Sequence, residues 1–305
     1  MEKHRKKLIK NATVFDGHSS GLAQGKKIVI EDDIVTEITA DEVSEENFDE
    51  VFDGTGMVAM PGMTDAHVHM GCLFAKGEFP VDYATVLTVA KCKDALMAGF
   101  TTFRDAGSVS EGLKLAFDEG VLPGPRIYPC GAYISQTCGH GDSEYAHTYR
   151  DIQYRHPSST VLADGVPEII RAVREQFYRG ASHIKLMATE ILNRHEDIRL
   201  LFGTDMMITG PDYQVEQSED IRYYEKRFGT MRALRALTGT ANEVFALTTY
   251  QNPYPKGKIG VLEAGSYADL LLVDGDPTKS VLVLADTDHL RLIMKGGTVY
   301  KNTLC

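Results

Sequence analysis

Apolar and polar residues alternate at both ends of the chain and follow a longer period between them. Residues 7–15 carry apolar side chains among polar ones, and 27–30 and 34–38 flank the turn Glu31-Asp32-Asp33. That β-branched pattern around a polar turn predicts a hairpin. Near the other end, 268–273 runs into Asp274-Gly275-Asp276-Pro277, and 290–294 and 298–300 bracket Lys295-Gly296-Gly297. Neither end buries an apolar face alone. Together they predict one composite domain, a small β-sandwich from residues 1–60 and 257–305.

The middle, residues 61–256, alternates strands with helices. Residues 83–98 predict a helix stopped by Gly99, and 100–105 a strand after it. Residues 126–134 predict a further strand, with Pro129 as its weak point. An amphipathic helix follows over 167–179, with Ile169, Ile170, Val173 and Phe177 on one side and Gly180 at its end. Strands are then expected over 182–188 and 198–205, and the polar stretch 141–163 reads as a long loop. Repeated strand–helix alternation gives an α/β class with a parallel sheet.

Composition narrows the partners. The 305 residues hold 32 Lys+Arg against 43 Asp+Glu, a formal net charge of -11. An acidic chain is poorly suited to nucleic acid or an anionic membrane, both bound through clustered Lys and Arg. The one short basic run, Lys3 to Lys7, reads as a solvated terminus. No stretch reaches the roughly 18–20 apolar residues of a membrane span. Five cysteines without a CxxC pair fit free thiols in a reducing compartment. A cytoplasmic protein acting on a small molecule, as a homo-oligomer, is the expectation.

Four positions could carry metal chemistry. In Asp65-Ala66-His67-Val68-His69, strand alternation points 65, 67 and 69 the same way, so two imidazoles can grip one ion. Two surface histidines in a loop are the alternative. Lys185 sits in Ile184-Lys185-Leu186-Met187-Ala188, where Ile184, Leu186 and Ala188 share the opposite face and suit packing against helices. An inward ammonium is costly unless paired or modified, and carboxylation by CO2 would turn it into a metal-bridging anion. An edge strand with Lys185 in solvent fits the pattern equally. Asp205 ends the apolar run 200–205, where parallel α/β folds place catalytic carboxylates; a helix N-cap is its alternative. Asp105 occupies a similar position, for which a structural role is preferred. His140, between Gly139 and Gly141, could touch substrate.

In their order, these segments resemble the amidohydrolase superfamily, more narrowly its imidazolonepropionase-like and Xaa-Pro or Xaa-Arg dipeptidase-like members. The resemblance rests on Pro61 to His69, Gly99 to Gly107, Leu122 to Arg126, Gly139 to Asp142, His183 to Thr189, Phe202 to Asp205, and the tail 257–277. It implies a (β/α)8 TIM-type barrel with a metal-dependent hydrolase acting on an amide, lactam or dipeptide bond. It also implies that His67, His69 and Asp205 hold a divalent metal, most simply zinc, and that carboxylated Lys185 bridges to a second ion. Asp205 would serve as proton acceptor and donor, and His140 would contact substrate.

One departure stands out. The family supplies further histidines from strands five and six, and a seventh strand, before the aspartate. Here only the twenty residues 186–205 intervene, whereas a βα unit takes about 30. About five barrel strands are recognisable. His195, the sole histidine in the gap, lies in a segment resembling a helix end. Either the natural protein has an internal segment that this chain lacks, or the deletion is real and leaves open edges, or two chains complete each other. The intact flanking motifs favour the first. The rival function is a catalytically inactive structural or binding subunit.

Overall fold

In the computed structural model, the described residues are 5–70, 81–107, 111–139, 141–142, 160–187, 199–207 and 213–304. The first half supplies β1 (Lys6–Val14), β2 (Ala23–Glu31), β3 (Ile34–Thr39), β4 (Glu50–Asp53), β5 (Val58–Pro61) and β6 (Met63–His69). Helix α1 (Val81–Met97), β7 (Phe100–Asp105), α2 (Glu111–Asp118), β8 (Arg126–Tyr128), β9 (Tyr133–Ser135), β10 (Thr160–Leu162) and α3 (Val166–Tyr178) follow. The rest comprises β11 (Met206–Met207), α4 (Tyr213–Phe228), α5 (Thr230–Leu237), α6 (Gly239–Phe245), β12 (Leu270–Val273), β13 (Leu290–Lys295) and β14 (Thr298–Asn302).

Both ends of the chain build one eight-stranded sheet, ordered β14-β13-β12-β5-β1-β2-β3 with β4 also on β1. Strand pairing joins these strands in a single sheet, where the sequence suggested a sandwich. Its two faces pack separately. Leu270, Leu272, Leu292, Met294 and Ala59 join Ile9, Ile28 and Ile30 in one cluster. Leu271, Val273, Ile293, Val58 and Met60 point the other way, into the core shared with β6, β7 and the helices. Burial of both faces explains why 270–273 is an unbroken apolar run.

The second sheet is parallel, ordered β11-β6-β7-β8. The chain enters it directly from the first through Gly62, whose N–H donates to the Asp269 carbonyl at 2.9 Å. A Cβ at Gly62 would fall 2.2 Å from Thr101 Oγ1, so only glycine admits this approach to β7. A buried ion pair fixes the two sheets together. Arg126 Nε and Nη2 donate to Asp269 at 2.6 and 3.1 Å, with the guanidinium 3.8 Å over the Tyr267 ring. Lys295 Nζ donates to the Gly124 carbonyl at 2.6 Å beside it.

Several expected elements are realised differently. Residues 126–134 form two strands, because Pro129 has no N–H and Gly131 takes φ +68°. Of the strand expected over 182–188, residues 182–187 make only a parallel bridge between Ile134 and Leu186, beside the short β9–β10 pair, and residue 188 lies outside the described residues. Leu186 is 53% exposed rather than packed. Residues 201–205 run beside β6 without forming a regular strand, and β11 begins only after Asp205. Among the described residues, no helix is long and apolar enough to cross a membrane.

Candidate metal centre

His67 and His69 stand two apart on β6, which the core grips through Val68 and Met70. Strand alternation therefore delivers both imidazoles to one side. Asp205 reaches them from a different part of the chain. Phe202 N–H donates to the Ala236 carbonyl at 3.0 Å, and its ring packs against Phe100 and Tyr224. Ala66 N–H donates to the Phe202 carbonyl, and Asp205 N–H to the His67 carbonyl, each at 2.8 Å. Gly203 lies against His67, and Asp205 itself has φ +55°. That left-handed turn, uncommon outside glycine but tolerated by Asp, accompanies the approach of the carboxylate to the histidines.

Asp205 Oδ1 lies 3.0 Å from His67 Nε2 and 3.2 Å from His69 Nε2. The three possible ligand atoms all lie within 4.8 Å of one another. Lys185 Nζ approaches His67 Nε2 at 3.0 Å. Four of the residues singled out in the sequence, His67, His69, Lys185 and Asp205, thus meet in one place. His140 lies outside the described residues. Asp105 stays apart: it is buried, accepts from the Met70 N–H at 3.2 Å, and its carbonyl accepts from His183 Nε2 at 3.0 Å.

The protonation state of His67 suits a ligand role. Burial, and then the positive charge of Lys185, lowers His67 to about 4, which leaves its imidazole neutral and able to ligate. Burial also lowers the Lys185 ammonium. Two imidazole nitrogens with one carboxylate oxygen match the donor set preferred by zinc-like divalent ions. The Asp205 side chain is 74% exposed while that of His69 is 11% exposed, so the set opens to solvent on the Asp205 side.

Three residues around this centre were given no role in the sequence reading. Asp65 is fully buried; its Oδ2 accepts from Thr204 Oγ1 at 2.9 Å and Gln217 Nε2 at 3.3 Å. Its Oδ1 accepts from the N–H groups of His67 and Thr204 at 3.2 and 3.3 Å. Burial pushes Asp65 up to about 7 despite these bonds. Its position two before His67 was the available signal. Thr204 is the link between Asp65 and Asp205. Arg104, partly buried on β7, donates to the Ala66 carbonyl at 3.4 Å, and nothing in its local sequence marks it.

Comparison with known proteins extends the picture. Residues 58–197 match the amidohydrolase family profile. Ochratoxinase of Aspergillus niger is 34% identical over 152 residues, covering 43% of this chain and 31% of that protein. Imidazolonepropionase of Picrophilus torridus is 39% identical over 176 residues, 53% of this chain and 43% of the relative. The chain thus spans under half the length of either relative. A prolidase crystallised with N-methylphosphonate-L-proline superposes with a TM-score of 0.82 at 22% identity, covering 97% of this chain and 100% of that one. At that identity the likeness shows a shared fold. The chain therefore carries an amidohydrolase-family domain over residues 58–197.

Proposed function

We propose that the protein is a metal-dependent hydrolase of a C–N bond in an amide, lactam or dipeptide. The observation that carries this reading is the meeting of His67, His69, Lys185 and Asp205 from three distant segments. The amidohydrolase-family match and the likeness to an ochratoxinase and a prolidase support it. In this reading the parallel strands belong to a (β/α)8 barrel, residues 61–256, flanked by the composite β-domain of 1–60 and 257–305.

His67, His69 and Asp205 would hold a divalent ion, zinc by preference, and carboxylated Lys185 a second. Such an ion polarises the scissile carbonyl and acidifies water toward neutrality. The chain's own groups do the rest. His69 is held by β6 on the buried side, and the exposed Asp205 side admits substrate. Asp205 Oδ1 faces the imidazoles, which leaves Oδ2 to accept the proton of the attacking water and return it to the leaving nitrogen. His140 is proposed to contact substrate.

The test is release of free amine from a panel of dipeptides and N-acyl amino acids, with zinc-loaded and chelator-treated protein. Chelator-sensitive hydrolysis is expected. Lys185→Ala should abolish it, with partial rescue by added short carboxylic acids. No hydrolysis across the panel by zinc-loaded protein would contradict the reading. Metal retention without turnover would instead support an inactive binding subunit, the reading favoured by the missing strand-five and strand-six histidines.

A further inference from the structure

The run 184–188 suits an inward and a solvent-facing Lys185 equally, yet Lys185 Nζ stands 3.0 Å from His67 Nε2. The backbone beside it does not decide this. Ile134 N–H donates to the Lys185 carbonyl at 2.9 Å and Met187 N–H to the Ile134 carbonyl at 3.0 Å, so segment 182–187 has β9 along one side. Ser182 secures its start, with N–H and Oγ both donating to the Pro129 carbonyl, at 2.7 and 2.9 Å. Among the described residues no strand pairs with its other side, and Leu186 is exposed. A strip held along one edge can roll about that edge, and its side chains alternate between two faces.

His183 makes the contact that crosses to the parallel sheet. Its Nε2 donates to the Asp105 carbonyl at 3.0 Å. A carbonyl only accepts, so this nitrogen carries the proton. Asp105 is a fixed post for the bond. It is fully buried at the end of β7, and its carboxylate accepts from the Met70 N–H at 3.2 Å. Next to it, Ala106 N–H donates to the Val68 carbonyl at 2.8 Å. Val68 and Met70 flank His69, so the post is tied to the strand that carries both candidate histidine ligands. Residues 183 and 185 lie two apart and share a face. With His183 fastened to the end of β7, Lys185 is turned toward β6, where His67 stands.

We propose that His183 is a positioning residue for Lys185. Its bond to the Asp105 carbonyl sets which way segment 182–187 faces, holds the Lys185 amine beside His67, and leaves Leu186 as the side chain in solvent. This placement stands on the contacts above. Its use, to present a carboxylated Lys185 to a second ion, rests on the hydrolase reading.

The test has two readouts on wild type, His183→Leu and His183→Gln. Glutamine carries an amide N–H at the reach of Nε2, and leucine carries no donor. In crystal structures of zinc-free protein, Lys185 Nζ should keep its contact with His67 in wild type and His183→Gln and lose it in His183→Leu. In zinc titrations with bicarbonate, His183→Leu should weaken the second ion about 10–100-fold, the range for a group that orients a ligand. The first ion, at His67, His69 and Asp205, should bind as in wild type, and His183→Gln should restore the second. His183→Asn, whose amide is one methylene short of the carbonyl, serves if His183→Leu fails to fold. Lys185 still at His67 in the leucine variant, no recovery in the glutamine variant, or equal loss of both ions would each overturn the proposal. A wild-type protein that takes only one ion would sink the bridging role of Lys185, while the structures still decide its placement.

Discussion

Thr204 Oγ1 donates to Asp65 Oδ2 at 2.9 Å, tying the residue beside Asp205 to a buried carboxylate two positions before His67. One hydrogen bond thus couples the two strands of chain that carry the candidate ligands. Thr204→Val keeps the shape and removes the donor. It should cost about 1.5–3 kcal/mol in urea unfolding, the usual range for a bond to a charged group, and weaken zinc binding. Thr204→Ser should restore both. Unchanged zinc affinity in the valine variant would show that Asp205 is positioned without the Thr204 hydroxyl.

Gly203 reports on the same junction sterically. A Cβ there would stand 2.7 Å from His67 Cβ and 3.2 Å from its backbone nitrogen. Neither atom is the end of a flexible side chain, so one segment has to move. Gly203→Ala should therefore lower stability by about 1–3 kcal/mol, the cost of overpacking, and reduce zinc affinity more than stability alone accounts for. A zinc titration of folded variant protein, indistinguishable from wild type, would remove the proposed contact from the account.

Lys295 predicts a pH dependence away from the metal centre. Burial lowers it to about 8 from the ordinary 10.5, against the pull of Asp269. Between those two values the unfolded chain binds the proton more strongly than the folded one. Stability at this position is therefore lowest below 8 and rises as pH climbs through 8 toward 10.5. Unfolding free energies of wild type and Lys295→Met, compared at about pH 7 and about pH 9.5, should shift in favour of the wild type at the higher value. A flat difference would show that Lys295 titrates normally.

The terminal sheet was legible because turn chemistry and β-branched runs are local signals, as at Glu31-Asp32-Asp33 between β2 and β3. His67 and His69 were legible for the same reason, since period-two alternation needs no tertiary information. The strand expected to end at Asp205 was not realised, because Gly203, Thr204 and the φ of +55° at Asp205 are set by contacts with β6. Helix α4 went undrawn: residues 214–222 are polar almost all round and give no apolar stripe. The pattern left an inward and a solvent-facing Lys185 equally open, and exposure of Leu186 depends on what packs outside its segment. Arg104 and Thr204 acquire their roles only from partners far away in sequence, so no local pattern announces them.

The central claim is that His67, His69 and Asp205 form a metal site. Equilibrium dialysis against zinc at neutral pH, followed by metal analysis, tests it most directly. The account predicts about one tightly held ion per chain at this set, a second with Lys185 carboxylated, and loss of binding in a His67→Ala/His69→Ala double variant that still folds. Folded wild-type protein that retains no zinc, or a double variant that retains as much as wild type, would contradict it.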